Sequence, residues 1–114
     1  MVASDALWAG LPVVTCLGET FAGRVGASLL HAVGLPELIT RTLDEYEALA
    51  LRLAREPGSL AQIKAKLMAN RDTCPLFDSA RTTRHIEAAY TAIWERHRRG
   101  EPPAGFAIDP VAPA

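Results

Sequence analysis

Leu11-Pro12-Val13-Val14-Thr15-Cys16-Leu17, followed by Gly18-Glu19-Thr20, is the stretch on which the architecture turns. The first seven residues are apolar or β-branched, with proline only at the start. Such a run reads as a buried strand of the parallel kind. Gly18-Glu19-Thr20 then turns the chain into a helix with Thr20 as N-cap, and Ala22, Val25, Leu29 and Val33 fall at helical spacing on its inner face. Gly34 and Pro36 end that helix, and Leu38-Ile39-Thr40 is a second, shorter strand. A strand–helix–strand unit implies parallel pairing through a right-handed crossover.

Outward from this unit, Asp5-Ala6-Leu7-Trp8-Ala9 reads as a helix stub capped by Ser4 or the residue before it and closed by Gly10. Downstream, Thr42-Leu43-Asp44-Glu45 is a capping box opening a helix with Leu43, Tyr46, Leu49, Ala50 and Leu53 inward. Pro57-Gly58 breaks it. Ser59-Leu60-Ala61-Gln62 is a second capping box, and Leu60, Ile63 and Leu67 face inward from the helix it opens. Residues 73–78 connect to a last helix, marked on one face by Ile86, Ala89, Tyr90, Ile93, Trp94 and His97 and stopped by Gly100. The tail from Glu101 to Ala114 carries Pro102, Pro103, Pro110 and Pro113 and reads as irregular. The class is thus α/β but mostly helical, with short parallel strands and about five helices. Two parallel strands alone are marginal, so the chain is expected to be the C-terminal piece of something larger.

Composition narrows the function. The chain has 114 residues, with 12 Lys plus Arg against 13 Asp plus Glu and a formal net charge of -1. That balance argues against a basic nucleic-acid groove and against a polybasic membrane surface. Apolar residues at 49% and charged residues at 22% are those of a folded domain, not a disordered one. Cys16 and Cys74 make neither a disulfide framework nor a zinc motif. No apolar run approaches the roughly 18 residues of a membrane span, and no basic-then-apolar leader is present, so a cytoplasmic chain is expected.

The run Asp5-Ala6-Leu7-Trp8-Ala9-Gly10-Leu11-Pro12-Val13-Val14-Thr15, continued by Gly18-Glu19-Thr20-Phe21-Ala22-Gly23-Arg24-Val25, resembles the C-terminal catalytic lobe of the O-linked N-acetylglucosamine transferases. This is glycosyltransferase family 41, which includes SPINDLY-like proteins and bacterial members with tetratricopeptide repeats. The likeness continues through Asp44-Glu45-Tyr46-Glu47, Pro75-Leu76-Phe77-Asp78 and Tyr90-Thr91-Ala92-Ile93-Trp94-Glu95. It implies a GT-B enzyme whose donor lies between two Rossmann-like lobes. Residues 1–100 would be the C-terminal part of the nucleotide-sugar-binding lobe and 101–114 a Pro-rich tail. The implied reaction carries N-acetylglucosamine from UDP-N-acetylglucosamine to Ser or Thr hydroxyls with inversion, without cofactor or catalytic metal. The acceptor protein would be presented by upstream repeats.

Carried across, Asp5 matches the aspartate that contacts the donor's ribose hydroxyls, and a carboxylate suits vicinal hydroxyl donors. Taken alone, Asp5 reads as a first-turn acid that helps cap a helix. The family's diphosphate-holding Thr pair would fall at Met1 and Val2, where this sequence departs. Glu19 and Thr20 are cleft-lining candidates, because ligands of doubly wound folds collect between strand ends and helix starts; the plainer reading is a tight turn with a Thr cap. Arg24 either reaches a phosphate or acceptor peptide, or pairs with Glu19 or Glu37. His31, His85 and His97 lack ligand spacing, and Arg96-His97-Arg98-Arg99 reads as cations complementing a helix end. Both cysteines read as inert packing residues, and Trp8, Tyr90 and Trp94 as packing anchors. No residue here matches the family's catalytic base, so the chain alone is expected to be inactive. The stripe Ile86, Tyr90, Ile93, Trp94 is expected to support a homodimer or a helix swap. The rival reading is a non-catalytic helical interaction module that docks through that stripe.

Overall fold

Residues 2–110 are described by a computed structural model. Their elements are α1 (Val2–Trp8), β1 (Thr15–Cys16), α2 (Phe21–Val33), β2 (Ile39–Thr40), α3 (Leu43–Arg55), α4 (Pro57–Asn70) and α5 (Ser79–Arg98). Single 3-10 turns lie at Pro36–Leu38 and Pro75–Phe77. One compact unit ends at Phe77, and a second begins at Asp78.

In the first unit β1 and β2 pair in parallel, with Thr15 opposite Ile39 and Cys16 opposite Thr40, and α2 is the crossover between them. The Thr40 hydroxyl is buried and donates to the Thr15 carbonyl at 2.8 Å, while Leu17 N–H donates to the Thr40 carbonyl at 2.8 Å. The strand expected over Leu11–Leu17 is shorter than its apolar run, and Leu11 is 57% exposed. A ladder extends only where its partner extends. Here β2 is confined between the turn ending at Leu38 and Thr42, the cap of α3.

Thr20 caps α2 as expected, accepting from Gly23 N–H at 3.1 Å. At the other end Gly34 adopts φ 78°, and Leu35 N–H reaches back to the Leu30 carbonyl at 2.8 Å. This six-to-one closure tucks Leu35 beneath the helix. Leu7, Leu30, Val33, Leu35, Leu38, Leu53 and Leu67 form the core cluster. Each buried leucine contributes about 1.5–3 kcal/mol relative to exposure.

The tuck also corrects the expected inner face of α2. Ala27, Leu30 and Val33 are buried, whereas Val25 and Leu29 are half-buried and Ala22 is exposed. In α3 the capping box forms in full: Glu45 N–H donates to Thr42 Oγ1 at 3.1 Å, and Glu45 Oε2 accepts from Thr42 N–H at 3.3 Å. The cluster reaches α3 only at Leu49 and Leu53. Leu43, Tyr46 and Ala50, expected inside, are exposed.

Two boundaries move. Helix α4 starts at Pro57, where a fixed φ and a missing N–H suit the first helical position. Ser59 therefore lies inside the helix and gives its hydroxyl to Glu56 Oε2 at 3.1 Å, so the second capping box does not form. Helix α1 already includes Val2, so Ser4 is an interior residue rather than a cap.

In the second unit Asp78 caps α5, accepting from Arg81 N–H at 2.9 Å, and Gly100 at φ 75° ends the helix region as expected. The aromatic stripe is not buried: Tyr90 is 67% and Trp94 60% exposed. The tail has no regular structure over residues 101–110, yet it turns back along α5. Arg96 Nε donates to the Pro102 carbonyl at 2.7 Å. Beyond that tie, Pro103 and Phe106 line one cavity with Tyr90, Ile93 and Trp94, and Ile108 lines another with His85 and Ile86.

Candidate functional site

The loop from the end of β1 to the start of α2 is closed on itself by backbone. Gly18 N–H donates to the Gly23 carbonyl at 2.9 Å. A Cβ on Gly23 would stand 3.1 Å from the Gly18 Cα, and one on Gly18 would stand 3.3 Å from the Gly23 Cα. The two glycines thus permit an approach that other residues would obstruct. Thr20 spends its hydroxyl oxygen as acceptor on the cap and keeps its proton to donate. Glu19 is exposed, two positions before α2 begins. Both readings of this segment are compatible with that geometry, since Thr20 is a cap and the loop faces solvent.

Asp5 is exposed on α1, a helix of seven residues. Leu7, two positions on, is fully buried in the core. Trp8 is half-exposed, yet it is held by groups from the far end of the unit. Arg71 Nη1 donates to the Trp8 carbonyl at 3.1 Å, and the Arg71 guanidinium carbon lies 4.8 Å from the centre of the indole. The Phe77 ring meets the indole edge-on, with centroids 5.0 Å apart and an interplanar angle of 67°. Arg71 and Phe77 carry no signal in the sequence that links them to Trp8. A separation of 63 positions hides the Arg71 pairing.

Asp5 on α1 and Glu19 with Thr20 on the loop belong to separate elements, and none of the three lines the open cavity of about 790 Å³ beside α2. That cavity is walled by Leu17, Phe21, Val25 and Ile39, with Arg24 and Arg41 also on it. Of the two partners weighed for Arg24, Glu37 is taken by Lys66 at 3.1 Å. Among the described residues no carboxylate stands at ion-pair distance from Arg24. His31 is exposed on the same cavity, and His97 lies against Trp94 with ring centroids 5.7 Å apart. Cys16 and Cys74 are free and half-buried. Among the described residues no group of His, Cys, Asp or Glu has the arrangement of a metal site, and no helix is long and apolar enough to cross a membrane.

Comparison with known proteins places these features. The family model described as Glycosyl transferase family 41 matches residues 1–86. A probable UDP-N-acetylglucosamine–peptide N-acetylglucosaminyltransferase SEC of Arabidopsis thaliana is 40% identical over 106 residues, covering 92% of this chain and 11% of that protein. A UDP-N-acetylglucosamine–peptide N-acetylglucosaminyltransferase of Caenorhabditis elegans is 38% identical over 98 residues, covering 86% of this chain and 8% of that protein. The solved structure of a Thermobaculum terrenum O-GlcNAc transferase mutant superposes with a TM-score of 0.73 at 41% identity, covering 79% of this chain and 17% of that one. The chain thus spans about a tenth of the length of the curated relatives it matches.

Proposed function

The chain belongs to glycosyltransferase family 41, and from that premise we propose that it supplies part of the donor site of a UDP-N-acetylglucosamine:protein O-N-acetylglucosaminyltransferase. The observation that carries the proposal is the likeness to enzymes of that name along most of the chain, including the stretch that holds Asp5. In this reading the Asp5 carboxylate accepts hydrogen bonds from the two ribose hydroxyls of UDP, while Glu19 and Thr20 line the cleft near the sugar. The Thr20 proton is available for that purpose, because the cap uses only the oxygen's acceptor capacity.

The reaction proposed for the whole protein moves N-acetylglucosamine from UDP-N-acetylglucosamine to a Ser or Thr hydroxyl of a protein acceptor, with inversion and release of UDP. It is proposed to need no catalytic metal. The chain taken alone is proposed to be inactive, since none of its residues is assigned as the base. Two free cysteines suit a reducing compartment, and a cytoplasmic setting is part of the proposal. The self-association expected of the α5 stripe has a competitor within the chain, because residues 103–108 share cavities with that stripe.

The test is a chimera in which the matching segment of the unmutated Thermobaculum terrenum transferase is replaced by this chain. Calorimetric titration with UDP compares the chimera with its Asp5→Ala variant. Losing a pair of charge-assisted ribose contacts costs on the order of 1.5–3 kcal/mol, a loss of about tenfold or more in affinity. Equal affinity in a folded variant refutes the ribose assignment.

A further inference from the structure

We infer that Arg71 is a positioning residue for the donor site: it fixes the C-terminal end of α1 and so sets where the Asp5 carboxylate stands. The inference rests on the ribose reading of Asp5 and adds to it a residue from the other end of the unit. Over the described residues α1 runs from Val2 to Trp8, and its direction is set by what its C-terminal end packs against. Something outside α1 must orient it. Within the helix only Leu7 is buried, which pins one point.

Arg71 supplies the second point. A helix end leaves its last carbonyls without partners, and the Trp8 carbonyl is met by Arg71 Nη1 at 3.1 Å. The same guanidinium covers the Trp8 ring face at 4.8 Å, and Phe77 closes the ring edge at 5.0 Å. One planar cation therefore fixes both the main chain and the side chain of a single residue, which a lysine's point charge cannot do. The bracket is itself anchored: Arg71 N–H bonds the carbonyl of Leu67 at 2.9 Å, and Leu67 is fully buried in the core. Arg71 Nε is buried without a hydrogen-bond partner, and the Asp72 carboxylate stands 3.7 Å away. The guanidinium thus keeps its place over Trp8 at the expense of its best ion-pair geometry. Asp5 precedes Trp8 by three residues, about 4.5 Å along the helix axis, so any tilt released at Trp8 is carried to the carboxylate. Hydrogen bonds to ribose weaken steeply once their angles are lost.

The experiment is a cycle in the chimera described above: Arg71→Gln, Asp5→Ala and both together, with UDP affinity read by calorimetry and folding by thermal melts. Arg71→Gln is expected to weaken UDP about five- to tenfold at a temperature where the melt shows the protein folded. In the Asp5→Ala background the same change is expected to cost less than twofold, since there is no carboxylate left to misplace. Arg71→Lys, which keeps the charge and disturbs folding least, is expected to fall between wild type and Arg71→Gln. A loss from Arg71→Gln that repeats in full without Asp5 overturns the positioning role, as does an unchanged affinity. An Asp5→Ala variant that binds UDP normally overturns the ribose reading itself, and this inference with it.

Discussion

Replacing Gly34 by alanine tests the joint that closes α2 over the core. Gly34 sits at φ 78° and ψ 30°, where an L-residue is strained by about 1–2 kcal/mol. The new Cβ would stand 2.8 Å from Asn70 Nδ2 and 3.4 Å from Cys74 Sγ. The amide cannot simply ignore it, because Asn70 Nδ2 donates to the Val33 carbonyl at 3.0 Å, one residue before the glycine. Displacing that half-buried bond costs about 0.5–1.5 kcal/mol. Alanine returns about 0.4–1 kcal/mol by restricting the unfolded chain. The balance is a net loss of about 2 kcal/mol, measurable by urea unfolding of the 114-residue chain followed by far-ultraviolet circular dichroism. The partner test is Asn70→Ala. The clash and the lost hydrogen bond are one event, so the double variant should lose less than the sum of the singles by about 1 kcal/mol. Strict additivity, or a Gly34→Ala chain as stable as wild type, refutes the account of the joint.

Thr42→Ala removes the acceptor for Glu45 N–H and should lower stability by about 1 kcal/mol in the same urea assay. Glu45→Ala acts at the other half of the box and should also free the Arg41 N–H, which its carboxylate accepts at 2.8 Å. The Glu101 carboxyl is held below its ordinary value of 4.5, chiefly by the hydrogen bond from Arg99; desolvation opposes this, and the charges of Arg99 and Arg96 add to the lowering. A lowered carboxyl pKa means that the tail's tie is present above the ordinary value and lost as pH falls through the lowered one. Trp94 fluorescence should report an acid transition below pH 4.5 that vanishes in Glu101→Gln and shifts upward in Arg99→Ala.

What the sequence made legible was mostly local. Gly10, Gly34 and Gly100 mark helix stops, and all three adopt positive φ. Thr20 and Thr42 cap because a hydroxyl and an N–H three residues on are neighbours in any helix start. The strand–helix–strand order also survives, since β-branched runs and helical spacing differ in period. What failed was whatever depends on a distant partner. Leu11–Val14 look like strand but β2 offers only two rungs. Leu43 and Tyr46 fit the apolar face of α3, yet the core reaches that helix only near its end. The tail reads as irregular, and its return along α5 rests on Arg96 and Pro102, which no periodicity connects. At the candidate site, the Thr20 cap was legible from local pattern and Asp5 was proposed from resemblance, whereas nothing local pointed to Arg71. Its importance lies in a contact across most of the unit.

The loop of residues 18–23 is a ring whose two ends lean on each other. A Cβ on either glycine would crowd the other's Cα at 3.1–3.3 Å, so a substitution there requires the backbone to give, while positions 19, 21 and 22 between them are exposed. Mutational tolerance at this corner is therefore expected to be lower at its two glycines than between them. A side chain can be exchanged at Glu19 without disturbing the turn that carries it, so surface chemistry and integrity of the turn are separable traits at this corner.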